Sequence, residues 1–428
     1  MKSSSGLGMG TPVVLGLLLL AGCGRTGLGP FIDEEVSDGS LDGAEVEEPG
    51  VGFGDDGDED EPPNVDPPPE ATCGNGVIDP GEICFLPQVT FYSRIDPCAL
   101  DVGDFDGDGN LDVVTPNSDF DHLESPLNIT SVLYGDGQGR LSEPVPYVSG
   151  DDIPVGVRVG DLDGSGTLDV VVINSDAGSL SLMLNGGQQQ IEDAGRLGVG
   201  EMPVMADVGD LDGDGVLDVA VTALDEVLVS RGRGDGSFEP PVSLSFPGMP
   251  WQPRLLDIDR DGNLDLLASN AISGRLFMWR GNGTGELLEY GGLATNGTPL
   301  GFTPADVNAD GIADLLIAHS FGLGVMLGDG EGGFLARQDV EAGVEPRAVA
   351  AADFDGDGRL DAAVANAASQ DVTLVIGSGD GSFDYAATYT VGTLPSGIAA
   401  GDFNRDGVPD IAVSNQLSNN IGLILSNP

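Results

Sequence analysis

From residue 85 to the end of the chain, short apolar segments alternate with loops dense in Asp and Gly. Residues 157–159 and 170–173 flank one such loop, and residues 348–350 and 362–365 flank another. The segments are short, β-branched or small, and bounded by Gly and Asp, so each pair is predicted to be two strands of a hairpin. A third strand, such as residues 374–376, precedes a G-x-G-x-G-x-[FL] turn, and a fourth, such as residues 242–246, follows one.

This unit repeats. The pattern D-x-[DN]-x-[DS]-G-x-x-D starts at Asp104, Asp161, Asp210, Asp257, Asp306, Asp353 and Asp402, in steps of 57, 49, 47, 49, 47 and 49 residues. A proline stands seven residues before each start: Pro97, Pro154, Pro203, Pro250, Pro299, Pro346 and Pro395. The glycine turn begins at Gly135, Gly232, Gly281, Gly328 and Gly377, with a degraded copy at Gly186-Gly187. Four strands per repeat of this length predict the blades of an all-β, seven-bladed β-propeller over residues 85–428. The seventh repeat ends without a fourth strand, while residues 89–93 form an orphan strand ahead of the first. The expectation is that this N-terminal strand supplies the outer strand of blade seven and closes the ring.

Upstream, Lys2 and the apolar run 13–20 end in Leu20-Ala21-Gly22-Cys23, which resembles the lipobox of bacterial lipoproteins. The run is far shorter than the roughly 20 residues that span a bilayer, so 1–22 reads as a signal peptide. The resemblance implies diacylglycerol on Cys23 and a chain lipid-anchored outside the cytoplasm, at the outer membrane or cell surface. An ordinary secretory signal is the alternative. Residues 23–72 read as a disordered acidic tether, with sixteen acids and no Lys or Arg between residues 31 and 71. A short Cys-bounded element, 73–84, resembles those of secreted bacterial surface proteins. In an oxidising compartment Cys73–Cys84 is its natural disulfide, leaving Cys98 as a buried free thiol, with Cys84–Cys98 the other allowed pairing.

Charge narrows the partners. With 71 Asp and Glu against 16 Lys and Arg, the net charge is −55, which suits cations and excludes nucleic acid and anionic bilayers as surfaces to bind. The membrane is reached through the lipid alone, and the chain is expected to be monomeric. Two His, His122 and His319, leave little room for His-based catalysis.

Asp at alternating positions of a tight loop converge on one point, and Gly at the sixth position permits the bend, which is the chemistry of a Ca²⁺ site. An EF-hand requires flanking helices, and a dockerin has two loops on helices. Mg²⁺ demands stricter octahedral geometry. The hairpins, their spacing and the glycine turn together resemble the FG-GAP and VCBS-type repeats known from the seven-bladed head of integrin α subunits. That resemblance implies side-chain ligands at positions 1, 3, 5 and 9 and a carbonyl ligand at position 7, for up to seven Ca²⁺.

Carried over, site one is Asp104, Asp106, Asp108, Asn110 and Asp112; site two is Asp161, Asp163, Ser165, Thr167 and Asp169. Site three is Asp210, Asp212, Asp214, Val216 and Asp218; site four is Asp257, Asp259, Asp261, Asn263 and Asp265. Site five is Asp306, Asn308, Asp310, Ile312 and Asp314. Site six is Asp353, Asp355, Asp357, Arg359 and Asp361; site seven is Asp402, Asn404, Asp406, Val408 and Asp410. Ser165 is the poorest of these ligands.

Meander order places the calcium hairpins and glycine turns on one face of the disc. Ligand contact is expected on the other, as the resemblance to integrin heads and lectin-like propellers implies. There, blade one carries an insertion over 116–130 with Asp119, Asp121, His122 and Glu124, and blades four and five bring Trp251 and His319. Arg233-Gly234-Asp235 lies inside a glycine turn and reads as turn chemistry. The expected function is a binding or adhesion module for an extracellular protein or carbohydrate. The alternative is a polysaccharide-active enzyme, lyase or hydrolase, although no acid–base pair stands out from the sequence.

Overall fold

The computed structural model describes residues 84–118, 128–150, 153–295 and 297–427. These form seven four-stranded antiparallel sheets. Blade two is representative: Pro154–Gly160, Asp169–Asn174, Ser179–Asn185 and Ile191–Gly198 lie in that order from the inside outward. The first strands of neighbouring blades touch in a closed circuit, so they line the central axis.

Burial within each blade follows strand order. Six-residue second strands such as Asp169–Asn174 and Asp361–Asn366 are buried along their whole length, which explains their continuous Val, Ile, Leu and Ala. Fourth strands such as Val145–Val148 face solvent on alternate residues. The core is divided among the seams between blades. Val171, Ile173, Leu180 and Leu182 of blade two pack on Val219, Val221 and Leu228 of blade three. The second residue of each acidic loop is also sunk into a seam: Phe105, Leu162, Leu211, Ile258, Val307, Phe354 and Phe403 are all buried.

Closure follows the expected route. Val89–Tyr92 pairs antiparallel with Asn420–Ile424, in the register Val89↔Leu423 through Tyr92↔Asn420, and completes blade seven. Leu100, Val113 and Leu133 of blade one then pack on Phe403, Ala412, Ile421 and Leu423 of blade seven. No sheet of the ring is left without its outer strand.

Pro154, Pro250, Pro299, Pro346 and Pro395 open their inner strands, where a missing N–H removes no ladder hydrogen bond, while Pro97 and Pro203 stand just ahead of theirs. In five blades the preceding residue is left-handed: Asp96, Ile153, Met202, Glu345 and Leu394 have φ between 49° and 57°. In four of these its carbonyl caps the end of the second strand, as in Ser175 N–H to Ile153 O at 2.9 Å and Ala367 N–H to Glu345 O at 2.9 Å; in blade three the Glu201 carbonyl accepts from Leu224 at 2.9 Å. In these five blades the left-handed residue and its proline make a sharp entry.

Cys98 departs from expectation. It is disulfide-bonded, as is Cys84, and neither is a free thiol. The expected burial holds at 5 % exposure, but burial alone is the same for a thiol and a half-cystine. Cys23, Cys73, the signal and tether segments, and Asp119, Asp121, His122 and Glu124 of the blade-one insertion lie outside the described residues.

Candidate metal loops and the opposite face

Each acidic loop joins the first and second strands of its blade, and its backbone organises the carboxylates. The sixth residue, always Gly, has φ between 80° and 93° in all seven loops, and the fourth is left-handed throughout, even where it is Arg260, Ala309 or Arg405. The first Asp turns inward to accept the sixth residue's N–H: Gly109 to Asp104 at 2.8 Å, Gly262 to Asp257 at 2.9 Å, Gly407 to Asp402 at 3.0 Å. The fifth residue's N–H reaches back to the third side chain, as Asp357 does to Asp355 at 3.0 Å.

The ninth Asp has a second role that the sequence did not reveal. Its Oδ2 accepts the N–H of loop residue two, and its Oδ1 accepts an N–H at the start of the glycine turn. In blade one these are Phe105 and Gly135, both at 2.8 Å; in blade six they are Phe354 at 2.8 Å and Gly377 at 2.9 Å. Asp112, Asp169, Asp218, Asp265, Asp314, Asp361 and Asp410 are all buried. Burial raises their carboxyl pKa values, Asp112 and Asp361 to about 7 and Asp265 and Asp410 to about 6, with neighbouring loop carboxylates adding to the effect.

Five loops bring three carboxylates together, with one oxygen from each within 4.8 Å of the others: Asp104, Asp106 and Asp108; Asp161, Asp163 and Asp169; Asp210, Asp212 and Asp218; Asp257, Asp259 and Asp265; Asp353, Asp355 and Asp357. Asp161 Oδ1, Asp257 Oδ1 and Asp355 Oδ2 are buried there without a hydrogen-bond partner. An orphaned buried carboxylate oxygen is costly unless a cation meets it, so the donor set fits a hard metal ion. In loops five and seven the third residue is an amide that donates to the fifth Asp: Asn308 to Asp310 at 2.9 Å and Asn404 to Asp406 at 2.8 Å. In loop two, Ser165 shares a 2.8 Å hydrogen bond with Thr167.

On the opposite face, His319 and Trp251 are both buried. His319 is fully enclosed; its Nδ1 accepts the Phe321 N–H at 3.1 Å, and its Nε2 lies 3.3 Å from Asp339, which also pairs with Arg337 at 2.8 Å. Burial first, and the Arg337 charge second, lower the imidazole pKa. The Trp251 carbonyl accepts from Thr222 at 2.7 Å. Among the apolar side chains this face exposes are Met202, Val344 and Leu417, and also Phe321, at 77 %, and Ile272, the last two beside Arg275 on a groove of ≈ 390 Å³ between blades four and five.

The inner strands carry a charged ladder that local pattern reading did not find. Asp101, Arg158, Asp207 and Arg254 hold equivalent positions in blades one to four, three residues before each loop. Asp207 lies 3.5 Å from Arg158 and 3.6 Å from Arg254. Asp101 and Asp207 also accept the N–H groups of Val159 and Leu255 in the next blade, at 3.2 and 2.8 Å. Thr303, Ala350 and Ala399 replace the charges in blades five to seven.

A family model described as an FG-GAP-like repeat matches residues 161–221, 210–268, 257–317 and 353–413. No curated protein matches the chain in sequence. Among solved structures, BBS1N in complex with ARL6DN aligns at TM-score 0.57 and 12% identity over 81% of this chain and 97% of that one. An Agrocybe aegerita lectin that recognises non-reducing terminal N-acetylglucosamine aligns at TM-score 0.51 and 16% identity, over 76% and 87%. Saccharomyces cerevisiae Sqt1 aligns at 0.52 and 12%, over 81% and 99%. At these identities the likeness is one of fold.

Proposed function

The chain belongs to the FG-GAP-like repeat family, and on that premise we propose that it is a Ca²⁺-stapled propeller acting as an extracytoplasmic, lipid-anchored binding or adhesion module. The observation that carries the metal reading is the convergence of three carboxylates in five loops, with unpartnered oxygens at Asp161, Asp257 and Asp355. Bound calcium supplies positive charge to clusters that otherwise repel themselves. The residues do the rest. In these five loops positions 1 and 3 offer carboxylates, joined by position 5 in loops one and six and by the ninth Asp in loops two, three and four; Asn308 and Asn404 offer an amide oxygen at position 3 of loops five and seven, and Ser165 a hydroxyl at position 5 of loop two. The ninth Asp ties each loop to the glycine turn, and the sixth Gly sets the curvature.

A binding role is supported by what the two faces offer. Rigid hairpins occupy one, while the other combines connections of differing length with an exposed aromatic, Phe321, beside Arg275. The ligand we propose is an extracellular protein or glycan; the fold shared with a lectin supports the glycan form. We propose that the chain is not an enzyme. His319 is enclosed and holds a turn, so it does not revive the alternative of a polysaccharide lyase or hydrolase. The deciding experiment is a glycan and protein array probed with the Ca²⁺-loaded propeller, followed by product analysis on each hit. Retention of an unmodified ligand supports the module; release of shortened or unsaturated sugars overturns it in favour of the enzyme.

A further inference from the structure

The residue just before the glycine turn is Tyr134, Asn185, Arg231, Arg280, Leu327 and Ile376 in blades one to six, and Leu425 holds the equivalent position in blade seven. Leu327 and Leu425 lie against the glycines of the following blade's turn, Gly381 and Gly139, and the two arginines occupy the same place beneath Gly285 and Gly332. The arginines make two polar contacts that leucine cannot. Arg231 donates to the Thr284 carbonyl of blade four and lies 3.5 Å from Asp212 of its own loop. Arg280 donates to the Glu331 carbonyl of blade five and lies 3.3 Å from Asp259. Its guanidinium is further held 3.9 Å above the Tyr290 ring.

Both arginines therefore bridge a third-position carboxylate and the next blade. In loop one the same carboxylate, Asp106, meets a neutral partner instead, the Gln189 amide at 3.1 Å, and the arginine that reaches this loop, Arg405, lies 3.5 Å from the Asp108 carbonyl rather than on that carboxylate. We propose that Arg231 and Arg280 are resident counter-ions that divide the metal loops into affinity classes, making loops three and four weaker for Ca²⁺ than loop one despite an identical set of four Asp. A fixed positive charge on a ligand carboxylate opposes a divalent cation at the same group. For charges of +1 and +2 about 6 Å apart in water-like dielectric, the opposition amounts to about tenfold in affinity. While those loops are unloaded, the arginines relieve the carboxylate repulsion and tie blade three to four and blade four to five. Loading is thereby graded around the ring.

This inference rests on the calcium reading, and the test separates the two. Both tryptophans of the chain, Trp251 and Trp279, are in blade four, and Trp279 directly precedes Arg280. Intrinsic fluorescence of the whole chain during a Ca²⁺ titration therefore reports on blade four. Calorimetric titration of the double variant Arg231→Leu/Arg280→Leu reads the same effect as heat. In Arg280→Leu, which copies blades five and seven, the fluorescence midpoint should move about tenfold lower in Ca²⁺, whereas Arg280→Lys should stay close to wild type. In the double variant two equivalents should tighten without a change in stoichiometry. Unmoved or weakened affinities with metal still bound overturn the arginine proposal alone. A wild-type chain that binds no metal overturns the calcium reading, and this proposal with it.

Discussion

Asp112 Oδ1 accepts the N–H of Gly135 at 2.8 Å, across 23 residues of sequence, while its Oδ2 holds Phe105. One buried carboxylate thus fastens the acidic loop to the glycine turn, and the same staple recurs in every blade. Removing one should be costly whether or not metal is present. In Asp265→Ala, the N–H groups of Ile258 and Gly281 lose their acceptor. We expect a loss of about 3 kcal/mol, read by denaturant unfolding in chelator. Asp261→Ala, at the exposed fifth position, should cost little under those conditions.

Metal removal should destabilise the whole ring. If each loop bound Ca²⁺ with Kd of about 0.1 mM in about 1 mM Ca²⁺, each would add about 1.4 kcal/mol, or of order 10 kcal/mol over seven. Chelation should therefore lower the thermal midpoint sharply. Bound-metal analysis alongside it should give up to seven Ca²⁺ per chain.

Without metal, stability should fall as pH rises from about 4 to about 7. The ninth-position carboxyls, including Asp112, Asp361, Asp265 and Asp410, hold their protons in the folded chain to about 6 or 7. In the unfolded chain they release them near 4. The folded state binds more protons over that window, so the contribution is full below about 4 and lost above about 7. Calcium should reverse the slope, because protons then compete with the metal. Denaturant midpoints at pH 4.5 and 7.5, with and without Ca²⁺, check both signs.

The axial ladder should be sensitive to loss of one charge. Asp207→Ala leaves Arg158 and Arg254 without their shared carboxylate, and burial already lowers the Arg254 pKa to about 10. Breaking such a group should cost about 3–5 kcal/mol, measurable by denaturant unfolding. Arg254→Met/Asp207→Leu should recover much of that loss.

The repeat made most of this fold legible before any coordinate. Its spacing announced the blades, the missing last strand and the orphan at Val89 announced closure, and the alternating Asp announced the loops. What escaped were contacts between blades, because partners such as Asp207 and Arg254, or Arg280 and Glu331, are about 50 residues apart and belong to no local motif. The signal was nevertheless present. Aligning the repeats on their first Asp puts Asp101, Arg158, Asp207 and Arg254 in one column, and aligning them on the glycine turn puts Arg231 and Arg280 in another. Trp251 and His319 were singled out for their chemistry, yet composition carries no information on burial. Phe321 went unnoticed because a lone aromatic in a turn has no periodicity.

The way the ring is joined also decides how it bears load. The segment preceding Cys84 leads directly into Val89–Tyr92, whose antiparallel partner Asn420–Ile424 is the last strand of the chain. Tension drawn through the N-terminal side first meets the disulfide-bonded Cys84 and then the Phe85↔Ser426 bridge, both ahead of Val89↔Leu423. The strand that fastens the ring is thus sheltered from load by a covalent link and by its own flanking pairs.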